Sequence, residues 1–294
     1  MPFVEIHDGR NWIRYDLPWG LTGEHGFTFR LGVAVRNPKG GNGIVFRAEP
    51  QGKLAAEIDT CAVKVLRRQD AARTDRFVNE IRIQKELKSH SIAQHFDNGW
   101  VDLTQNLAVP WMAMELGEAN LRDHVQRLGP LRGQQVVNVG RQMCDALSHL
   151  HSKNIIHRDL KPDNFVWSGA DDQSVLMIDF GIAKFIGEDV SGRPLDQFTQ
   201  NMEFVGPVFF SSPELIAYAQ DKSSPVDSRS DLFQLGKTLW FLACGKISAG
   251  IPSRRDCPLG GQLHNLVVEL LQDSPQDRPA EAASVKEALE SIRC

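Results

Sequence analysis

His157-Arg158-Asp159-Leu160-Lys161-Pro162-Asp163-Asn164 is the stretch on which the fold turns. A helical pattern closes just before it, at Ser152-Lys153-Asn154, so these residues fall on a loop. Pro162 biases Lys161 away from the α region. One short loop thus presents a carboxylate, an ammonium and an amide oxygen. Fifteen residues after Asn164 stands Asp179-Phe180-Gly181, preceded by the apolar strand Val175-Leu176-Met177-Ile178. Carboxylate and amide oxygens are the hard ligands Mg²⁺ takes, and Mg²⁺ commonly bridges a few of them to substrate phosphates.

Outward from this loop the chain changes character once. Residues 1–26, rich in Gly, Trp and polar residues without a sustained period, read as an extension that either packs on something or frays. Phe27–Val35 has the alternation and β-branching of a strand, as do Ile44–Ala48 and Thr60–Leu66. Between the first two lies a glycine-rich turn, Pro38-Lys39-Gly40-Gly41-Asn42-Gly43. A helix over Arg73–Lys88 carries an apolar stripe of Phe77, Val78, Ile81 and Leu87. Strand-like segments return at His95–Val101 and Leu107–Met114. After Gly117 helical spacing takes over, in Val136, Val137, Gly140, Met143, Cys144, Leu147 and Leu150. It recurs at Leu232–Ala243, Leu263–Gln272 and Ala280–Ile292. The expected organisation is α+β: an extension (1–26), a small β-rich lobe (27–117) and a larger α-helical lobe (118–294).

Composition removes several function classes. A chain that is 41% hydrophobic with a net charge of only -4 argues against disorder. It also lacks the cationic surplus of a dedicated nucleic-acid binder. No apolar run approaches the roughly 20 residues that span a bilayer, and the amino terminus does not read as a signal peptide. Five scattered cysteines without a CxxC pair read as reduced thiols, so the expectation is a cytoplasmic protein that engages neither nucleic acid nor membrane.

Taken singly, most of these features have bland readings. A glycine-rich turn is usually just a hairpin, a strand lysine a solvated edge, and Asp-Phe-Gly a strand-to-turn punctuation. Their order and spacing are not bland. From about Phe27 to Ile292 the chain resembles a protein kinase of the serine/threonine type. The resemblance implies a bilobal protein-kinase-like fold that uses ATP and Mg²⁺, with Mn²⁺ as an alternative cation. It also implies protein substrates, including a second copy of the chain through self-association and trans-autophosphorylation.

Roles carry over by position. Gly40, Gly41 and Gly43, with Val45, resemble the loop that covers the phosphates. Lys64 matches the strand lysine that holds the α- and β-phosphates, and Glu80 its helix partner. Asp159 matches the residue that orients the substrate hydroxyl and accepts its proton, and Lys161 the one that steadies the γ-phosphate. Asn164 and Asp179 match the Mg²⁺ ligands. Met114 falls at the gatekeeper position, with Glu115 and Gly117 at the hinge that meets adenine, while Val45, Ala62 and Val166 would sandwich the ring. Ser212-Pro213-Glu214 resembles the end of the activation segment, with Arg278 as the partner of Glu214. Asp231 and Gly236 resemble the start of the helix that braces the catalytic loop.

The chain departs from the family pattern at several positions. Pro38 replaces the first loop glycine, Pro207 the threonine after Gly206, and Phe210 the usual tyrosine. Gln84, four residues after Glu80, stands where an apolar residue is usual. Arg158 is the kind of residue that binds an activation-segment phosphate, and Thr199, or else Ser191, is the expected site. Two competitors are a nucleotide-binding pseudokinase scaffold, which the full set of catalytic residues opposes, and a small-molecule kinase, which usually lacks Lys161, Pro213-Glu214 and Arg278.

Overall fold

A computed structural model describes residues 1–7, 11–36, 43–67, 70–169, 173–185, 209–221, 223–257 and 260–292. Pro38, Gly40, Gly41, Ser191, Thr199, Gly206 and Pro207 lie outside the described residues. The chain divides into two compact units, one of Met1–Lys88 with Ala93–Gly117 and one of Ser89–Ile92 with Glu118–Cys294.

The first unit is built on a six-stranded antiparallel sheet. Its strands are β3 (Gly20–Thr22), β4 (Thr28–Arg36), β5 (Gly43–Pro50), β6 (Cys61–Leu66), β7 (His95–Thr104) and β8 (Leu107–Met114), in the order β3-β4-β5-β6-β8-β7. Alternate residues face the core: Phe29 and Leu31 of β4, Phe46 of β5, Val63 and Val65 of β6, and Trp111 and Ala113 of β8 all enter one apolar cluster. On the other face Ala62, Leu66, Met112 and Met114 pack with Phe77 and Ile81 of helix α1 (Ala71–Glu86). Asp70 caps this helix, accepting from the Arg73 N–H at 2.9 Å.

One expectation is corrected here. The inward face of α1 is Phe77, Glu80, Ile81, Ile83 and Gln84, while Val78 is 43% exposed. Phe77, Ile81 and Leu87 are buried as expected; only Val78 leaves the stripe, because Glu80, Ile83 and Gln84 complete the inward face. Residues 1–26 take the first of the two alternatives left open by the sequence and pack on the first unit. They form the hairpin of β1 (Phe3–His7) and β2 (Trp12–Asp16) and then the edge strand β3. Val4, Ile6, Leu17 and Leu21 join the same core as Phe29 and Val63. The period-two signal was there in Val4 and Ile6, but five residues are too few to register as a sustained pattern.

The second unit is mostly helical, with α2 (Leu121–Leu128), α3 (Gly133–Ser152), α4 (Pro213–Gln220), α5 (Arg229–Cys244), α6 (Gly261–Leu270) and α7 (Ala282–Ser291). Helix α5 is buried along almost its whole length, so it serves as the internal post of the unit. At Gly236 it runs so close to α6 that an added Cβ would lie 2.8 Å from the Leu270 Cβ. Short antiparallel pairs, β9 (Ile155–Ile156) with β12 (Lys184–Phe185) and β10 (Phe165–Trp167) with β11 (Val175–Met177), frame the loop between α3 and β10. Ser89–Ile92 belongs to this unit because the Ser91 carbonyl accepts from Met177 N–H at 3.0 Å and Ile92 bridges Met177.

Candidate active site

In the second unit the loop of 157–164 is held from beneath by α5. Asp231, with 0% exposure, accepts from the backbone N–H of His157 (2.9 Å) and of Arg158 (2.8 Å), and lies 2.9 Å from His151 Nε2. Gln234, one turn on, accepts from Leu160 N–H and donates to the Arg158 carbonyl, both at 2.9 Å. These bonds hold Arg158 at φ 68°, a left-handed conformation that disfavours side chains and needs such bracing. Lys161 is fully extended, at φ -159° and ψ 163°, as the following proline requires.

This scaffold brings the chemistry together. Lys161 Nζ lies 2.6 Å from Asp159 Oδ2. Asn164 Nδ2 donates to the Asp159 carbonyl at 2.8 Å and to Oδ2 at 3.2 Å. Burial works against the Lys161 ammonium, but Asp159, Asp179 and Asp163 outweigh it and leave its pKa raised. Asp179 accepts from Gly181 N–H at 2.9 Å. The His157 ring stands 5.6 Å from that of Phe180, and burial lowers its pKa despite Asp231, so the ring is neutral at pH 7. Asp163 does not join the cluster; its Oδ2 accepts from Arg122 Nε at 2.6 Å.

The donor chemistry fits Mg²⁺. Asn164 spends its amide N–H groups on Asp159, leaving the amide oxygen to offer a cation, and Asp179 offers a carboxylate. Among the described residues no group of three or more His, Cys, Asp or Glu side chains forms a cage.

The first unit carries a second cluster. Lys64 Nζ lies 2.5 Å from Glu80 Oε1, joining β6 to α1. In the sheet Lys64 pairs with Val45 on one side and Met112 on the other, while Ala62 pairs with Met114. Met114 is buried, and Glu115 N–H donates to the Gln94 carbonyl at 2.8 Å. Gly43 opens β5, and Gly117 closes the unit. Gln84 is wholly buried: its Nε2 donates to the Ala93 carbonyl at 2.9 Å and sits 3.6 Å from the Met114 sulfur, while its Oε1 has no partner among the described residues. Val166 lies on β10 in the second unit.

Gln234, His151 and Arg122 brace the loop of 157–164, directly or through Asp231, and none of them was singled out in the sequence. Only Gln234 left a signal there, as a polar residue three after Asp231 set among Leu232, Phe233 and Leu235. Arg158 has a further property: its Nε has no partner among the described residues, and its guanidinium lies 5.0 Å above the Tyr218 ring.

Residues 39–290 match the family model described as the protein kinase domain. The chain is 31% identical over 247 residues to the serine/threonine-protein kinase PknB of Mycobacterium leprae, covering 76% of this chain and 37% of that protein. Identity to PknB of Mycobacterium tuberculosis is 31% over 249 residues, with the same coverage. A probable serine/threonine-protein kinase of Corynebacterium efficiens is 33% identical over 189 residues, which is 63% of this chain and 27% of the relative. The chain therefore spans between about a quarter and little more than a third of the length of these relatives.

Proposed function

The chain belongs to the protein kinase family, and from that premise we propose that it transfers the γ-phosphoryl group of Mg-ATP to serine or threonine hydroxyls of proteins. The observation that carries this reading is the bonded set Asp159, Lys161 and Asn164, buttressed by the buried Asp231. In this reading Asp159 receives the hydroxyl of the acceptor and takes its proton as the oxygen attacks phosphorus. Lys161 neutralises charge on the γ-phosphoryl oxygens, and Lys64, held by Glu80, does so on the α- and β-phosphates. Asn164 and Asp179 hold Mg²⁺ or Mn²⁺, which supplies charge neutralisation across the phosphates. Gly40, Gly41, Gly43 and Val45 cover the nucleotide, Ala62 and Val166 contact its base, and Met114, Glu115 and Gly117 set the base-binding edge.

The same reading extends to autophosphorylation between copies of the chain at Thr199 or Ser191. Arg158 Nε, without a partner among the described residues, supports a phosphate receptor at that position. Action in the cytoplasm suits an ATP-dependent enzyme whose described cysteines are all free.

Incubation with labelled Mg-ATP and a basic protein acceptor tests the reading. Label should reach serine and threonine, and Asp159→Asn should lower kcat by about 10²-fold or more while ATP still binds. Thermal stabilisation by ATP without transfer would favour a scaffold, and transfer only to small molecules a metabolite kinase.

A further inference from the structure

The Lys64–Glu80 pair joins two elements, and each is gripped at its far end by the same segment of chain. That segment, residues 1–27, lies wholly before the residues matched by the kinase model. The first grip is on Arg67, three residues past Lys64. His7 N–H donates to the Arg67 carbonyl at 2.9 Å. The Arg67 guanidinium, almost fully buried, lies 4.6 Å above the Trp12 ring and reaches the carbonyl and carboxylate of Glu5 at 3.3 and 3.2 Å.

The second grip is on the end of α1 and the start of β7. Asp97, with 0% exposure, accepts from the backbone N–H of His25 (3.2 Å), Phe27 (3.3 Å) and Asn98 (2.8 Å), and lies 2.9 Å from His25 Nδ1. Glu24 N–H donates to the Asn98 carbonyl at 2.8 Å, and the Glu24 carboxylate reaches Lys85 in the last turn of α1 at 3.3 Å. The fit around Asp97 is tight enough to dictate a glycine: a Cβ on Gly23 would lie 2.2 Å from the Asp97 Cγ. A buried carboxylate with this many donors is a strong local anchor, since losing them would leave its charge uncompensated.

We propose that residues 1–27 form an intramolecular clamp that positions the Lys64–Glu80 pair, with Asp97 and Arg67 as its anchoring residues. The proposal rests on the kinase reading for its consequence, not for its geometry. An ion pair between a strand and a helix keeps its length only if neither element drifts. Misplacing a positioned group by about 1 Å can cost about 10²-fold in rate. Neither anchor touches substrate; each acts through the pair.

The test is a double-mutant cycle. Asp97→Asn should raise the KM for ATP and lower kcat/KM about tenfold, and Gly23→Ala should do the same. Because the clamp acts through the pair, Asp97→Asn should cost less than about twofold further once Glu80→Gln has broken it. Effects that multiply in the double variant, or single variants with wild-type kinetics, overturn the proposal. Hydrogen exchange of residues 71–86 in folded Asp97→Asn protein decides the structural half whether or not phosphate is transferred. Faster exchange than in wild type supports the clamp, and unchanged exchange overturns it. Wild-type protein that moved no phosphate would overturn the kinase reading alone.

Discussion

Asp231 is a carboxylate with no exposed surface, and its position is tolerable only because its donors are fixed. Burial alone would raise its pKa. The hydrogen bond and charge of His151, with the backbone N–H of His157, outweigh that and hold it below the usual carboxylate range. A carboxyl depressed in this way stabilises the fold above its unfolded pKa, near 3.9, and that contribution is lost as pH falls through the folded value. Asp231→Asn should therefore cost about 2–4 kcal/mol at pH 7. In urea melts at several pH values, its deficit against wild type should narrow below about pH 4. Gln84 makes the opposite test. Its amide donates to a carbonyl and faces a thioether, both acceptors, so Gln84→Glu would bury a carboxylate among acceptors. About 3 kcal/mol of stability should be lost at neutral pH. Here the folded pKa is raised, so the deficit should shrink as pH falls and the protonated carboxyl donates to the Ala93 carbonyl again. A pH-independent deficit would sink that account.

Helix α5 does the work of several elements. Its first two turns offer Asp231 and Gln234 to the loop of 157–164, Ser230 to Glu214, and the Arg229 carbonyl to Arg278. Arg278 holds Glu214 with both terminal nitrogens, at 2.6 and 3.0 Å, and donates as well to the carbonyls of Gln272 and Asp273. The start of α4 is thereby tied to α5 and to the segment before α7. Arg278→Met should cost about 3–5 kcal/mol by stranding Glu214, measurable by chemical denaturation. Glu214→Gln keeps one acceptor but leaves the buried Arg278 guanidinium without its counter-ion, so it should be destabilising in the same assay. This pair and Asp231 were legible beforehand because they belong to spaced motifs. Gln234 and Arg122 were not, since each is one polar residue whose partner lies tens of residues away.

At the scale of the whole molecule, the amino-terminal segment is part of the first unit's core. Deleting residues 1–22 would uncover Phe29, Val63 and their neighbours by removing Val4, Ile6, Leu17 and Leu21. Burying each such side chain is worth about 1.5–3 kcal/mol as an upper value. Hydrogen exchange should show β6 and α1 losing protection in the truncated chain, with α3 and α5 retaining theirs. No helix among the described residues is long and apolar enough to cross a membrane, which agrees with the short apolar runs of the sequence. By itself the sequence determined the alternation of strands, the later helices, the change of character near Gly117 and the identity of the chemical groups. Those depend on local periodicity and on side chains whose order along the chain is specific. Only the tertiary structure decided which polar residues complete the buried face of α1, which N–H groups satisfy Asp97 and Asp231, and that residues 1–27 grip both ends of the Lys64–Glu80 linkage. The physical reason is that a buried polar group is defined by its partners. Those partners come from residues as distant in sequence as His25 and Asp97, where no local pattern records them.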